Sequence, residues 1–334
     1  MIFQVRLGEC GEAFNVGPDE TILSAALRAK IALVHDCQAG GCGTCRVKLL
    51  EGAVSYVEFP LALTEQEHCE GYALACQARP QCDLVIEASH GAETVPAPAR
   101  RIATVVRIET LSPSVSHLVL QIHGSDPLDF RPGQYMNVLL PDGGTRSFSM
   151  ASKPPDNVVD FHVRRLPGGR FTDARFAGLR EGDALEVELP LGSFYFRRQD
   201  YRPLLMVATG TGLAPIKAIL DSLHDDPDCP PVSLYWGTRT VADLYWHDRI
   251  ATWRDRLYEF KYIPVLSRAD AGWNGRRGYV QDSILADFAD LSECAIYLCG
   301  SPEMIASAKQ AFVDRGASLQ HIYTEGFVQS GGIA

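Results

Sequence analysis

Four cysteines constrain this chain more than any other feature of its sequence. Cys37, Cys42 and Cys45 follow the pattern C-x4-C-x2-C, and thirty residues separate Cys45 from Cys76. This spacing is typical of plant-type [2Fe–2S] clusters, in which four thiolates hold two irons. The sequence therefore predicts an iron–sulfur domain with these four cysteines as the metal ligands.

Glycines between the cysteines favour the same interpretation. Gly40, Gly41 and Gly43 permit positive φ, so a short loop can turn its backbone N–H groups toward the cluster sulfurs. A structural zinc site usually offers two close pairs of ligands, whereas Cys76 stands alone. Disulfides are not expected, because no secretory signal precedes the cysteines.

Length and charge limit the possible functions. The chain has 334 residues and a formal net charge of −10, which predicts two or three domains and disfavours nucleic-acid binding. Residues 1–90 hold 12 acidic and 6 basic residues and so carry −6 of the total. This acidity either aids solubility or docks the cluster domain on a basic redox partner. With no signal peptide and no span long enough for a bilayer, we expect a cytoplasmic protein without a membrane anchor.

Changes in hydrophobic pattern divide the chain into three predicted domains. Residues 1–90 combine mixed strands with a helix and predict an α+β ferredoxin domain of β-grasp-like form. Residues 91–99 contain two prolines and predict a linker. Short strands with turns at 100–197 predict an antiparallel β-barrel. At 198–334 strands alternate with helices, including one expected at Ile216–Leu223, which predicts an α/β parallel-sheet domain.

Two motifs suggest binding of phosphate groups. The turn Gly210-Thr-Gly-Leu-Ala-Pro215 follows an apolar strand and precedes a helix, as in a dinucleotide site. However, Pro215 replaces the third glycine and Gly237-Thr-Arg239 replaces the usual acid, so a plain strand–helix turn stays possible. In the barrel, Arg146-Ser-Phe-Ser149 offers a guanidinium fork for a phosphate; an exposed arginine is the alternative.

Together the three segments resemble the ferredoxin–NAD(P)H reductase-type oxidoreductases, which join a plant-type ferredoxin, a flavin barrel and a nicotinamide domain. Such proteins are reductase components of bacterial multicomponent oxygenases. The resemblance implies an NADH-dependent enzyme that passes electrons from NADH to FAD, to the [2Fe–2S] cluster, and then to an oxygenase component or an intermediary ferredoxin. NADPH is less favoured, because Thr238–Asp243 offers no second basic residue beside Arg239.

The resemblance also implies which residues bind FAD. Arg146, Ser147, Phe148 and Ser149 match the family's R-x-Y-S motif. Arg146 would bind the pyrophosphate, and Ser149 would approach flavin N5. Phe148 replaces the usual tyrosine and keeps its stacking without its hydroxyl. The strand and the second phosphate loop of the family correspond to His162, Val163, Arg164, Gly168, Gly169 and Thr172.

The nicotinamide side is implied in the same way. The family's G-[TG]-G-[LI]-A-P loop, ribose and adenine contacts and C-G-x-P-x-M motif correspond to Gly210, Thr211, Gly212, Pro215, Gly237, Arg239, Asp243, Cys299, Gly300 and Met304. Glu325 and Phe327 match the terminal acid and aromatic, and Phe327 would cover the flavin until nicotinamide displaces it. Ser149, Cys299, Glu325 and Phe327 are therefore the predicted catalytic residues.

Two other functions remain open at this point. The same architecture could reduce a deoxysugar-forming dehydratase instead of an oxygenase. Alternatively, the chain could be a non-catalytic electron carrier or redox sensor with vestigial flavin domains, although the intact motifs around Arg146 and Gly210 argue against this.

Overall fold

The computed structural model describes residues 2–8, 11–31, 33–35, 37–88, 98–124, 127–154, 156–165 and 176–327. Contacts between residues divide the chain into two compact units. The first comprises Met1–Thr94, Ser301–Gln310 and Thr324–Ala334, and the second comprises Val95–Gly300 and Ala311–Tyr323. Most of the predicted linker at 91–99 lies outside the described residues, so the three domain boundaries stay predictions.

A five-stranded sheet forms the core of the first unit. The strands of this unit are β1 (Phe3–Leu7), β2 (Ala13–Val16), β3 (Arg46–Glu51), β4 (Val54–Ser55), β5 (Tyr72–Leu74), β6 (Arg79–Pro80) and β7 (Leu84–Ala88). The large sheet has the order β2-β1-β7-β3-β5, and β4 pairs with β6. Strands β1 and β2 form an antiparallel hairpin, while β1 and β7 are parallel. The mixed sheet agrees with the predicted α+β ferredoxin fold.

Two short helices of this unit begin at side-chain caps. Helix α1 (Ile22–Arg28) starts after Thr21, whose hydroxyl accepts the Ser24 N–H at 3.2 Å. Helix α2 (Glu65–Cys69) starts with a capping box between Thr64 and Glu67. Such caps satisfy N–H groups that have no partner within the helix.

Six antiparallel strands of the second unit form the predicted barrel. They are β8 (Ala99–Ser112), β9 (Val115–Ile122), β10 (Tyr135–Leu139), β11 (Thr145–Ser149), β12 (Val158–Arg164) and β13 (Ala184–Leu191), with a short helix α3 (Phe176–Gly178) before the last. They pair in the order β11-β10-β13-β8-β9-β12. Just beyond β11, the Ala151 N–H donates to the Asp160 carbonyl of β12 at 2.8 Å. This bond closes the barrel.

A six-stranded sheet with helices comes next in the chain, mostly within the second unit. Its strands are β14 (Leu204–Thr209), β15 (Val232–Thr238), β16 (Lys261–Leu266), β17 (Arg276–Arg277), β18 (Ala295–Gly300) and β19 (Ile322–Gly326). The helices are α4 (Leu213–Ser222), α5 (His247–Ala251), α6 (Val280–Asp287) and α7 (Pro302–Val313). The order is β17-β16-β15-β14-β18-β19, and the ladders from β17 to β18 are parallel. The predicted α/β class is confirmed.

The helix after the glycine turn begins earlier than predicted. A 3₁₀ turn at Gly210–Gly212 leads directly into α4 at Leu213, so the expected start at Ile216 was wrong. Pro215 occupies the third position of α4. Its missing N–H causes no loss there, because the first N–H groups of a helix have no intrahelical acceptor.

Candidate functional site

The four predicted cluster ligands lie together in the first unit. Cys42, Cys45 and Cys76 are buried, and Cys37 is half-buried. The thiol of Cys37 lies within hydrogen-bonding contact of Cys42. Cys45 has the same contact with Cys76. Four converging thiols are the donor set that a [2Fe–2S] cluster requires.

Backbone N–H groups point at these sulfurs. The Ala39 N–H donates to Cys37 Sγ at 3.4 Å, and the Gly40 N–H donates to the Cys76 sulfur. The neighbouring Cys42 thiol, with the N–H groups of the loop, lowers the pKa of Cys37 to about 6. A lowered pKa favours the thiolate, which is the form that binds metal. The contact with Cys76 and burial raise the pKa of Cys45, so the fit of the loop to an iron–sulfur cluster rests on its four sulfur donors and its N–H groups.

Two loop glycines have the predicted positive φ. Gly40 has a φ of +70°, and a Cβ there would lie 2.9 Å from Pro60 Cβ. Gly43 has a φ of +77°. Other residues would strain the backbone at both positions.

The end of β19 lies beside this loop, within the first unit. The Thr324 hydroxyl donates to the Cys42 carbonyl. A Cβ on Gly326 would lie 2.6 Å from a carbonyl oxygen of the loop. Glu325, between them, is buried, and Phe327 is half-buried. Both predicted C-terminal site residues thus belong to the unit that carries the cluster ligands.

The predicted FAD motif forms strand β11 of the barrel. The half-buried Arg146 donates to the preceding carbonyl at 2.6 Å. Ser147 Oγ donates to Asn137 Oδ1 at 2.7 Å. Phe148 packs against the barrel core, and Ser149 is buried. Within the described residues, the half-buried Arg146 guanidinium bonds only to the Thr145 carbonyl, so it can turn toward a phosphate.

Strand β12 places its three predicted residues in different surroundings. Val163 is buried in the barrel core, whereas His162 and Arg164 lie on the opposite face of the strand. A Cβ on Gly210 would lie 3.3 Å from the Arg164 guanidinium, so this arginine reaches the glycine turn. Three predicted residues of the second phosphate loop lie outside the described residues: Gly168, Gly169 and Thr172.

A charged network that the sequence analysis missed joins β12 to α4. Lys217 Nζ donates to the Ala151 carbonyl at 2.7 Å and to Asp221 at 2.9 Å, and lies 3.9 Å from Asp160 Oδ2. His117 Nε2 donates to the same Asp160 oxygen at 2.9 Å. Burial by itself raises the pKa of Asp160, but His117 and Lys217 lower it to about 2. Asp160 is therefore a carboxylate at neutral pH.

His162 lies in this network as a neutral imidazole. Burial and the nearby charge of Lys217 lower its pKa to about 3. Its Nδ1 lies 3.1 Å from the Tyr245 hydroxyl, and its ring centroid lies 4.8 Å from that of Trp246. The polar alternation Asp160, His162, Arg164 along β12 was the available signal for an outward-facing polar row.

The glycine turn packs tightly at the carboxyl edge of the parallel sheet. Gly210 has a φ of +54°, and its carbonyl accepts the Trp236 Nε1–H at 2.9 Å. A Cβ on Gly212 would lie 2.3 Å from the Cys299 carbonyl oxygen. Thr211, between them, is half-buried. Dinucleotides bind at this edge of such sheets, so the residues fit a nicotinamide cofactor.

The residues predicted for the ribose and adenine side follow β15. A Cβ on Gly237 would lie 2.5 Å from a side chain of α6. Asp243 accepts the Thr240 N–H and hydroxyl at 3.0 and 2.9 Å, so it caps a 3₁₀ turn. Arg239 is exposed, and its carbonyl accepts the Arg268 N–H at 2.8 Å. A second arginine therefore lies near Arg239, which the sequence segment alone did not indicate.

The C-G-x-P-x-M segment crosses from β18 to α7. Cys299 is fully buried and close to the buried hydroxyl of Tyr245. Gly300 ends β18. The Met304 N–H donates to the Ser301 hydroxyl at 3.2 Å in the first turn of α7. The structure thus brings the Cys299 carbonyl to Gly212, and the place of Cys299 beside the nicotinamide stays a prediction.

Comparisons with known proteins agree with this architecture. Family models match for the 2Fe-2S iron-sulfur cluster binding domain at residues 6–81, the oxidoreductase FAD-binding domain at 102–196 and the oxidoreductase NAD-binding domain at 206–310. Within the described residues, no helix is long and apolar enough to cross a membrane.

Similar proteins extend over the whole chain. Terephthalate 1,2-dioxygenase, reductase component 1, from Comamonas sp is 34% identical and aligns with 99% of this chain and 98% of its own length. The CDP-6-deoxy-L-threo-D-glycero-4-hexulose-3-dehydrase reductase of Yersinia pestis is 30% identical, over 99% and 100%. The crystal structure of the Amycolatopsis cytochrome P450 reductase GcoB has a TM-score of 0.72 at 33% identity, covering 97% of this chain and 98% of that one.

A four-thiol cluster loop, a flavin barrel and a nicotinamide sheet in one chain define an iron–sulfur flavoprotein oxidoreductase. Its cofactors are FAD, a [2Fe–2S] cluster and NADH. The chain belongs to the ferredoxin–NAD(P)H reductase-type family that includes the reductase components of bacterial oxygenases.

Proposed function

We propose that this chain supplies electrons from NADH to an oxygenase component, directly or through a small ferredoxin, for oxidation of an aromatic or hydrocarbon substrate. The full-length likeness to a terephthalate dioxygenase reductase carries this proposal. FAD, when bound, accepts two electrons as a hydride and can release them singly, which suits a cluster that accepts one.

Several predicted site residues have a role in this proposal. Arg146 would bind the FAD phosphates, and Phe148 would provide an apolar surface for the flavin. Ser149 would approach flavin N5 and Cys299 would flank the nicotinamide, while Glu325 and Phe327 stay predicted catalytic residues. The burial of Ser149, Cys299 and Glu325 supports such a role, because buried polar groups act strongly where water is excluded.

NADH remains the proposed electron donor rather than NADPH. The neighbouring arginines Arg239 and Arg268 are the groups that a 2′-phosphate would meet. The Asp243 carboxylate, which caps the 3₁₀ turn, lies four residues beyond Arg239 in the sequence. Its negative charge would repel a 2′-phosphate. Initial rates with each nucleotide test this choice. We expect a higher kcat/KM with NADH than with NADPH.

The acidic cluster domain suggests the chemistry of the partner. Residues 1–90 carry a charge of −6, which favours docking on a basic surface of the electron acceptor. The same negative charge disfavours a nucleic-acid partner. The proposed use of NADH is consistent with the reducing cytoplasm. The nine described cysteines are all free thiols, which agrees with the same compartment.

A second candidate function has one observation in its favour. The Yersinia pestis relative is named as the reductase of a deoxysugar dehydrase, and its identity of 30% is only slightly lower than that of the dioxygenase reductase. Reconstitution distinguishes the two. We expect NADH-dependent turnover with an aromatic oxygenase component and none with a pyridoxamine-dependent dehydratase; the reverse result would reject the oxygenase proposal.

A cysteine variant tests the order of electron transfer. In Cys45→Ser, NADH should still bleach the flavin absorption, while reduction of a partner protein through the cluster should be lost, because one of four ligands is missing. Cys69→Ser, which changes an exposed thiol outside the ligand set, is the matched control and should behave as wild type. Full partner reduction by Cys45→Ser would contradict the proposed route.

A further inference from the structure

A buried ion pair between α2 and α7 lies in the first unit, which also carries the cluster loop. Lys309 Nζ of α7 is 2.6 Å from Glu67 Oε1 of α2, and their side chains are 4% and 0% exposed. Arg46 NH1 lies 2.7 Å from the same oxygen. Lysine is among the residues least often buried, and burial of its charge is costly without a close partner.

Every polar atom of the pair has a defined contact. Glu67 Oε2 accepts the Thr64 N–H at 2.8 Å and the Thr64 hydroxyl at 3.1 Å. Lys309 Nζ also donates to the Ala62 carbonyl at 3.2 Å. Burial lowers the pKa of Lys309 to about 8, and Lys309 keeps the pKa of Glu67 below its usual value despite burial. Both groups are therefore charged at neutral pH.

Further hydrogen bonds connect Ala62 to a cluster ligand. The Ala62 N–H donates to the Gly40 carbonyl at 3.0 Å, and the Gly40 N–H donates to the Cys76 sulfur. Hydrogen bonds thus link Lys309 to Ala62, Ala62 to Gly40, and Gly40 to Cys76. The carbonyl and the N–H of one residue belong to different peptide groups, so these bonds fix the position of the loop and do not form one polarised chain. N–H donors to the sulfurs influence the potential of such clusters.

We propose that Lys309 is a positioning residue for the iron–sulfur cluster, which orients the Gly40 N–H toward Cys76 and raises the cluster potential by its positive charge. Glu67 holds Lys309 in place and opposes its charge. The inference rests on the proposed function, since it needs a cluster at the four cysteines. None of the family motifs above contains Lys309.

The test is the midpoint potential of the cluster in the full-length holoprotein, followed by its visible absorption under anaerobic redox titration. Lys309→Met should lower the potential, because a positive charge that stabilises the reduced cluster is lost. Glu67→Gln should shift it in the opposite direction. A structural effect alone would not produce shifts of opposite sign. Arg28→Met, which removes the exposed Arg28–Glu20 pair of the same unit (58% and 22% exposed), is the control and should leave the potential unchanged.

Hydrogen exchange provides a second measurement. Backbone amides at 38–45 should exchange faster in Lys309→Met than in wild type or Arg28→Met, with or without cluster, because the Ala62 carbonyl loses its donor. Unchanged potentials in both variants, or shifts of the same sign, would overturn the inference, as would unchanged exchange in the loop. Iron analysis separates this failure from that of the proposed function: a chain that binds no iron contradicts the function itself.

Discussion

Replacement of Gly212 by alanine tests the packing of the nicotinamide turn. An ideal Cβ at this position would lie 2.3 Å from the Cys299 carbonyl oxygen and 2.7 Å from its carbon. Contact distances of about 3.3 Å are normal, so the turn or the end of β18 must move by about 1 Å. Overpacking of this kind costs about 1–3 kcal/mol.

This cost should appear in nucleotide binding, because the displaced turn is itself the proposed pyrophosphate site. A cost of about 1–3 kcal/mol corresponds to about 5–150-fold weaker binding. The assay is titration of oxidised Gly212→Ala with NAD⁺, followed by the perturbation of flavin absorption, together with the rate of flavin bleaching by NADH in rapid mixing. Flavin and iron content should match wild type.

A matched control separates this effect from a general effect of alanine. Gly178 is exposed in α3, and a Cβ there would have no atom of the described residues within 4 Å. Gly178→Ala should therefore bind NAD⁺ as wild type does. Unchanged nucleotide affinity and unchanged flavin bleaching in Gly212→Ala would refute the assignment of the turn.

Two other variants test the barrel. His162→Phe should reduce the acid sensitivity of folding: the folded pKa of about 3 lies below the usual 6.5, so stability falls as pH drops below about 6.5. Between pH 7.5 and 5.5 the wild type should lose about 1.4 kcal/mol more unfolding free energy than the variant; equal losses in urea unfolding would show that His162 is not buried as a neutral group. Arg146→Ala should lose FAD on dialysis with little change in unfolding free energy, because among the residues that the structure describes Arg146 donates only to the Thr145 carbonyl of β11. Arg180→Ala, which removes a similar bond to a preceding carbonyl, should retain FAD, and equal retention by both variants would reject the phosphate role.

Local features of the fold were predictable from sequence because their partners are close in the chain. The C-x4-C-x2-C spacing, the Thr64–Glu67 capping box and the glycine turn at Gly210 each depend on residues within a few positions of one another. Alternation of apolar residues identified the strands in the same way. The predicted start of α4 was wrong because Pro215 was assigned to the glycine turn, although the first turn of a helix accepts proline.

Contacts between distant residues were not predictable from the same patterns. Lys217 meets a carbonyl 66 positions away, and Lys309 meets Ala62 across 247 positions. Neither lysine belongs to a motif, and a single lysine on a helix is usually exposed. Val163 is a different case. Its position in the barrel core agrees with strand alternation, whereas the motif match to a flavin strand implied a contact with the cofactor.

The central claim is that one chain accepts electrons in pairs and releases them singly through a [2Fe–2S] cluster. Anaerobic purification followed by metal, sulfide and flavin analysis and titration with NADH tests it most directly. The account predicts about two irons, two sulfides and one FAD per chain, with NADH bleaching both the flavin and the cluster absorption. A chain without iron and sulfide, or a cluster that NADH leaves oxidised, would contradict it.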